Sequence, residues 1–170
     1  MKMIFDLDAD LCIGCGSCSV ACMDQNDTDV EKGEKPFRTV NSMEIRRKDG
    51  FEFSFLSLAC MHCEDAPCIK ACPSGCLYKD PDTNFTLFDN TNCIGCHSCS
   101  MACPFGAPRF NAFGKMVKCD GCVDRVKEGL QPACVKSCPY DALKLYTEEE
   151  YKQAHPKKGI HDVALKILEK

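Results

Sequence analysis

The chain has 170 residues, enough for one domain or two small ones, and a formal net charge of -4 with Lys and Arg scattered among Asp and Glu. That scatter leaves no basic stretch for nucleic acid, and no run approaches the roughly 18 apolar residues that would suggest a bilayer span. Seventeen cysteines, one residue in ten, leave three readings open: a disulfide scaffold, several zinc sites, or iron–sulfur ligation.

At the N-terminus, "MKMIFDLDADLC" lacks an apolar h-region followed by a small-residue cleavage site. The mature chain is therefore expected to begin where the sequence does and to work in a reducing cytoplasm, which counts against a disulfide scaffold. "MIFDLD" reads as a strand that delivers the chain into the first cysteine quartet, Cys12, Cys15, Cys18 and Cys22, spaced C-x2-C-x2-C-x3-C. "SVACMDQN" then reads as a short helix. Two strand-like runs follow, "FRTVNSMEIRR" and "FEFSFLSLAC", joined by "KDG". Phe51, Phe53 and Phe55 alternate with Glu52 and Ser54 as in a half-buried strand, and Asp49-Gly50 suits a tight turn. This hairpin is expected to cover a lobe rather than to dock a partner.

The second quartet is Cys60, Cys63, Cys68 and Cys72, with its middle gap lengthened to x4. A second strand, "NFTLFD", leads to the third, Cys93, Cys96, Cys99 and Cys103, and to a helix in "SMACPFGA". "CIGCGSCSVAC" and "CIGCHSCSMAC" match at nine of eleven positions with an offset of 81, which also sets Asp8 opposite Asp89. The fourth quartet is Cys119, Cys122, Cys134 and Cys138, leaving Cys76 unassigned. In the tail, "IHDVALKILEK" spaces Ile160, Val163, Ala164, Ile167 and Leu168 as a helical apolar stripe, to be folded back on its own core or docked on a catalytic subunit.

A structural zinc site usually joins two C-x2-4-C knuckles from separate segments. Here the first and third quartets place three cysteines within seven residues and a fourth one helical turn later, and Pro follows the last cysteine at Cys72, Cys103 and Cys138. Such a loop can wrap three corners of a cubane while the fourth thiolate reaches a second cluster. The run is the known signature of bacterial two-cluster ferredoxins, matched here as a pattern. Motifs of this kind must come in pairs. Four complete quartets leave no open iron, and no Walker loop, GxGxxG or HExxH is present, so electron transfer without catalysis is expected.

Four segments, "CIGCGSCSVAC", "CMHCEDAPCIKACPSG", "CIGCHSCSMACPFGAPRF" and "KCDGCVDRVKEGLQPACVKSCPYDAL", give the chain from about Phe5 to Leu145 a family likeness. It resembles the four-cluster ferredoxin-like electron-transfer subunits of molybdenum and tungsten pterin oxidoreductases, which include formate dehydrogenases, dimethyl sulfoxide reductase and tungsten aldehyde oxidoreductases. The resemblance implies an α+β, ferredoxin-like fold of two pseudo-symmetric two-cluster lobes, one inserted in the other. The outer lobe would be residues 1–36 with 115–146 and the inserted lobe 56–114, with a β-hairpin at 37–55 and a helical tail at 147–170. Four [4Fe-4S] clusters are implied, with crossed ligation. One is held by Cys12, Cys15, Cys18 and Cys138, its neighbour by Cys119, Cys122, Cys134 and Cys22. The inner pair takes Cys60, Cys63, Cys68 with Cys103, and Cys93, Cys96, Cys99 with Cys72.

The implied partners are a pterin-containing catalytic subunit, of aldehyde oxidoreductase or formate dehydrogenase type, and a redox carrier or further electron-transfer subunit, with no direct membrane insertion. A freestanding polyferredoxin and a structural zinc protein are the alternatives. Two departures stand out: Met23 rather than Pro follows Cys22, and Cys76 stands where the resemblance usually shows Ala. Cys76 is read as a small buried hydrophobe, with a substitute ligand as the alternative. His97 replaces Gly16 of the first motif and is expected to be partly exposed, with tuning of its cluster as the alternative. His62 in "CMHC" matches the family motif without a readable role. Lys115, Lys118, Arg125 and Lys127 read as a solvated face or, alternatively, a surface for an acidic redox partner.

Overall fold

A computed structural model describes residues 1–48 and 50–155. In chain order the elements are β1 (Met3–Leu7), α1 (Ser17–Gln25), β2 (Thr39–Arg47), β3 (Gly50–Leu58), α2 (Pro67–Lys70), β4 (Leu77–Lys79), β5 (Thr86–Phe88), α3 (Ser98–Ala102), β6 (Arg109–Phe110), β7 (Met116–Val117), α4 (Val123–Lys127), α5 (Ala133–Lys136), β8 (Leu143–Thr147) and α6 (Glu148–Ala154). The strands pair as four two-stranded antiparallel sheets, β1 with β8, β2 with β3, β4 with β5 and β6 with β7. This is the mixed helix and strand content of a ferredoxin-like fold. No helix among the described residues is long and apolar enough to cross a membrane.

Local chemistry explains why the helices are short. Gly16, His97 and Cys122, which open α1, α3 and α4, all sit in the left-handed region and supply no side-chain cap. These helices start where a cysteine loop turns, not where a Ser, Thr or Asp caps free amides. Helix α3 stops at Cys103, held extended (φ -84°, ψ 116°) because Pro104 follows it. Helix α1 ends at Asn26, whose Nδ2 donates to the Cys22 carbonyl at 2.7 Å.

The described chain forms two compact units. One comprises Met3–Leu58 with the chain from Ala133 onward. Its β1–β8 sheet runs from Met3↔Thr147 to Leu7↔Leu143, so the two ends of the chain share one ribbon. Phe5, Leu7, Cys18, Cys22, Cys134, Ala142 and Leu143 are buried in this unit. A capping box starts α6, with Thr147 Oγ1 accepting from the Glu150 amide and Glu150 Oε2 accepting from the Thr147 amide. The apolar stripe from Ile160 to Leu168 lies outside the described residues.

The expected hairpin is present, pairing Thr39↔Leu58 through Arg47↔Gly50, with Asp49 outside the described residues. Its half-buried alternation is corrected. Phe51 and Phe53 are 62% and 64% exposed, and cover begins only near Phe55 and Ser57. The reason is the length of the ribbon: its base lies against the first cysteine loop, whose Gly14 approaches the Phe55 ring, and its far half projects into solvent.

The other unit comprises Ala59–Pro132 with Met1–Lys2. Its core is Ala66, Cys68, Leu77, Cys99 and Met116, flanked by Cys63, Ile69, Cys72, Phe88, Cys93 and Phe110. Cysteine therefore supplies much of the interior that Leu or Val would fill elsewhere.

Candidate iron–sulfur site

The thiols gather around loops that strands and helices fix from either side. In the unit containing β1, Cys12, Cys15, Cys18 and Cys138 line one open pocket, together with Gly14, Val40 and Ser57. Cys22 is not among its lining residues; it lies with Cys134, whose charge reaches both Cys18 and Cys22. In the other unit, Cys72, Cys93, Cys96 and Cys99 line a pocket with Cys76, Phe110 and Met116. Cys60 and Cys103 both act electrostatically on Cys63 and Cys68, so these four also form one group. Cys119 and Cys122 flank Gly121 in the loop that opens α4.

Backbone amides or serine hydroxyls lie against seven of the sulfurs. Backbone amides of Cys76, Ala107, Met116 and Gly121 point at Cys72, Cys103, Cys93 and Cys119 Sγ, at 3.3, 3.5, 3.4 and 3.4 Å. Ser57 Oγ lies 3.3 Å from Cys18 Sγ, and Ser17 and Ser98 hydroxyls lie 3.4 Å from Cys15 and Cys96 Sγ. Those two hydroxyls hold the Cys15 and Cys96 thiols below the ordinary range. Burial pushes Cys18, Cys22, Cys63 and Cys99 upward, and Cys68 to about 11.

Three buried polar residues complete the surroundings; sequence reading did not single out Arg38 and did not anticipate the burial of His62 and Lys118. His62 is buried, and its Nδ1 accepts from the Thr86 amide at 3.1 Å. The ring proton therefore belongs on Nε2, which lies 3.8 Å from Cys119 Sγ as a donor to sulfur. Arg38 is buried with Nη1 donating to Ser57 O and Oγ at 3.1 and 3.2 Å, one hydroxyl away from Cys18.

Lys118 corrects the solvated-face reading of the basic residues around the fourth motif: it is 1% exposed, with Nζ donating to backbone carbonyls of Thr86 and Cys119. Its companions are engaged as well. Lys115 Nζ donates to Thr91 and Cys93 carbonyls at 3.0 and 2.7 Å, Arg125 Nε to Gln131 O at 3.0 Å, and Lys127 pairs with Asp80 at 2.7 Å. Carbonyls hold Lys115 and Arg125, and two carboxylates, Asp80 and Asp82, pair with Lys127, which stays exposed as the solvated-face reading expected. His97 is exposed as expected, with its ring 3.7 Å from Phe110 by centroids.

None of the seventeen cysteines is in a disulfide. Among the described residues, no three His, Cys, Asp or Glu side chains converge as closely as a single metal ion requires. Thiols collected from separate loops, with backbone amides aimed at several of the sulfurs, fit an anionic iron–sulfur group.

Fold and site together define a ferredoxin-like iron–sulfur protein. The chain belongs to the 4Fe-4S dicluster domain family, which matches residues 51–148 and, a second time, residues 11–76. Two dicluster domains imply four [4Fe-4S] clusters. The chain is 42% identical over 158 residues to YnfG of Escherichia coli K12, a probable anaerobic dimethyl sulfoxide reductase component, covering 89% of this chain and 76% of that protein. It is 41% identical to a component of the anaerobic dimethyl sulfoxide reductase of the same strain, with the same coverage. Over 158 residues it is 38% identical to that strain's nitrate-inducible formate dehydrogenase iron-sulfur subunit, covering 85% of this chain and 54% of that one. The chain is thus an iron–sulfur electron-transfer subunit of the dimethyl sulfoxide reductase and formate dehydrogenase type.

Proposed function

We propose that this chain wires a molybdo- or tungstopterin catalytic subunit to an external carrier or a further electron-transfer subunit, inside the cytoplasm and without catalysis of its own. The partner would be of formate dehydrogenase or aldehyde oxidoreductase type. The ligand sets are those implied by the resemblance: Cys12, Cys15, Cys18 and Cys138; Cys22, Cys119, Cys122 and Cys134; Cys60, Cys63, Cys68 and Cys103; Cys72, Cys93, Cys96 and Cys99. The observation behind this reading is that Cys138 joins Cys12, Cys15 and Cys18 around one pocket and Cys72 joins Cys93, Cys96 and Cys99 around another, with donors to sulfur supplied by the loops.

When bound, [4Fe-4S] clusters supply one-electron transfer at potentials set by burial, charge and hydrogen bonds. The chain's own residues do the rest. Amides of Cys76, Ala107, Met116 and Gly121 stabilise negative charge on sulfur, the more so when an electron is added. In the unit of Ala59–Pro132, Cys68 and Cys99 stand in the core where apolar side chains would otherwise pack.

Anaerobic purification of the tagged chain from its native host tests the proposal, with iron, zinc, molybdenum and tungsten assayed in the same fraction. The expected result is about sixteen irons per chain, as four four-iron clusters require, and a stoichiometric large subunit containing molybdenum or tungsten. About sixteen irons on a lone chain would make it a freestanding polyferredoxin, and colourless zinc-loaded protein would sink the electron-transfer reading.

A further inference from the structure

We propose that Lys118 is the resident counter-cation of the cluster held by Cys60, Cys63, Cys68 and Cys103, a positioning residue that raises that cluster's reduction potential. The inference rests on the ligand set proposed above.

Lys118 is 1% exposed, a burial that lysine almost never reaches without a partner. Its Nζ donates to the Thr86 carbonyl, to the Cys119 carbonyl at 2.7 Å and to Cys60 Sγ at 3.8 Å. These are three acceptors for three N–H groups. An ammonium satisfies all of them, whereas a neutral amine would turn its lone pair toward one. The side chain is therefore a fixed positive charge, set 5.9 Å from the Phe88 ring centroid. None of the three partners is a carboxylate, and a buried ammonium is strongly disfavoured unless negative charge offsets it. The adjoining thiolates are that charge, and Lys118 opposes the effect of burial at Cys68.

A second lysine, whose pKa burial lowers, acts on three of the same four sulfurs. Lys79 Nζ donates to the carbonyls of His62, Cys63 and Asn84, and it interacts electrostatically with Cys60, Cys63 and Cys68. Two lysines thus bracket one thiol set. A buried positive charge favours the reduced, more negative state of a neighbouring cluster, so it moves the potential upward.

The test is an EPR-monitored redox titration of the anaerobically purified full-length chain as wild type, Lys118→Met, Lys118→Arg and Lys79→Met. Lys118→Met is expected to keep the iron content and to shift one cluster's midpoint downward. Lys118→Arg should hold that midpoint, and Lys79→Met should lower the same one. Full iron with every midpoint unmoved in Lys118→Met would overturn the proposal, as would Lys118→Arg falling as far as Lys118→Met. If Lys118→Met instead loses one cluster, retention of that cluster in Lys118→Arg supports the charge requirement, and its loss in both variants overturns it. A different failure would show in Cys60→Ser: if the cluster shifted by Lys118→Met survives that substitution unaltered, the ligand assignment is wrong, not the role of the cation.

Discussion

Cys76 and Ala142 occupy the same place in two related turns. Each lies four residues beyond a Cys-Pro cysteine, Cys72 or Cys138, and just before a strand that opens with a buried leucine, Leu77 or Leu143. The Cys76 carbonyl accepts from the Asp89 amide and the Ala142 carbonyl from the Asp8 amide, both at 2.8 Å. The residues before them, Gly75 and Asp141, both take positive φ, 62° and 50°. Nothing in this equivalence asks for sulfur at position 76. Burial pushes its thiol up to about 11, as befits a buried hydrophobe. Cys76→Ala should therefore leave iron content and every EPR signal in place, and cost about 1 kcal/mol for the lost packing. Loss of one cluster's signal would make Cys76 a ligand. Lys118 was harder to read. A lysine is ordinarily exposed, and the one available signal was alternation: Met116 and Lys118 lie two apart at the end of β7, and both are buried.

The repeated loop shows which of its letters are fixed by space. Gly14 and Gly95 correspond in the two copies, and both are crowded. A Cβ at Gly14 would lie 2.3 Å from the Phe55 ring, and one at Gly95 2.8 Å from the Gly114 carbonyl oxygen. Gly16 has nothing within 4 Å, and its counterpart is His97, held at φ 61°. The left-handed backbone costs a non-glycine residue about 1–2 kcal/mol at any of these positions. At Gly95 a collision with backbone is added. Gly95→Ala should accordingly lower the thermal midpoint of the cluster-loaded chain well below that of Gly16→Ala, with a total cost of about 2–4 kcal/mol. Equal midpoints would show that the loop yields. The identity of the two loops was legible from their spelling, as were the strands before them and helices after them. What spelling could not show is that one loop is crowded by a hairpin ring and the other by a turn carbonyl, because both contacts come from distant segments.

Chain topology adds a constraint that periodicity does not contain. β5 finds its partner β4 a few residues upstream, whereas β1, its counterpart before the first loop, pairs with β8 near the other end of the described chain. The same closure brings Cys138 to the pocket of Cys12, Cys15 and Cys18. Two consequences differ in the laboratory. If the quartets acted as written in the sequence, Cys12 and Cys138 would serve separate clusters and their substitutions would remove different signals. With Cys138 completing the set of Cys12, Cys15 and Cys18, Cys12→Ser and Cys138→Ser should each abolish or convert the same EPR signal, and the double variant should lose no more than either alone. This non-additivity is what groups acting as one unit produce. Two distinct missing signals would return Cys138 to its own quartet, and the pairing of the chain's two ends would then be structural without being shared at a cluster.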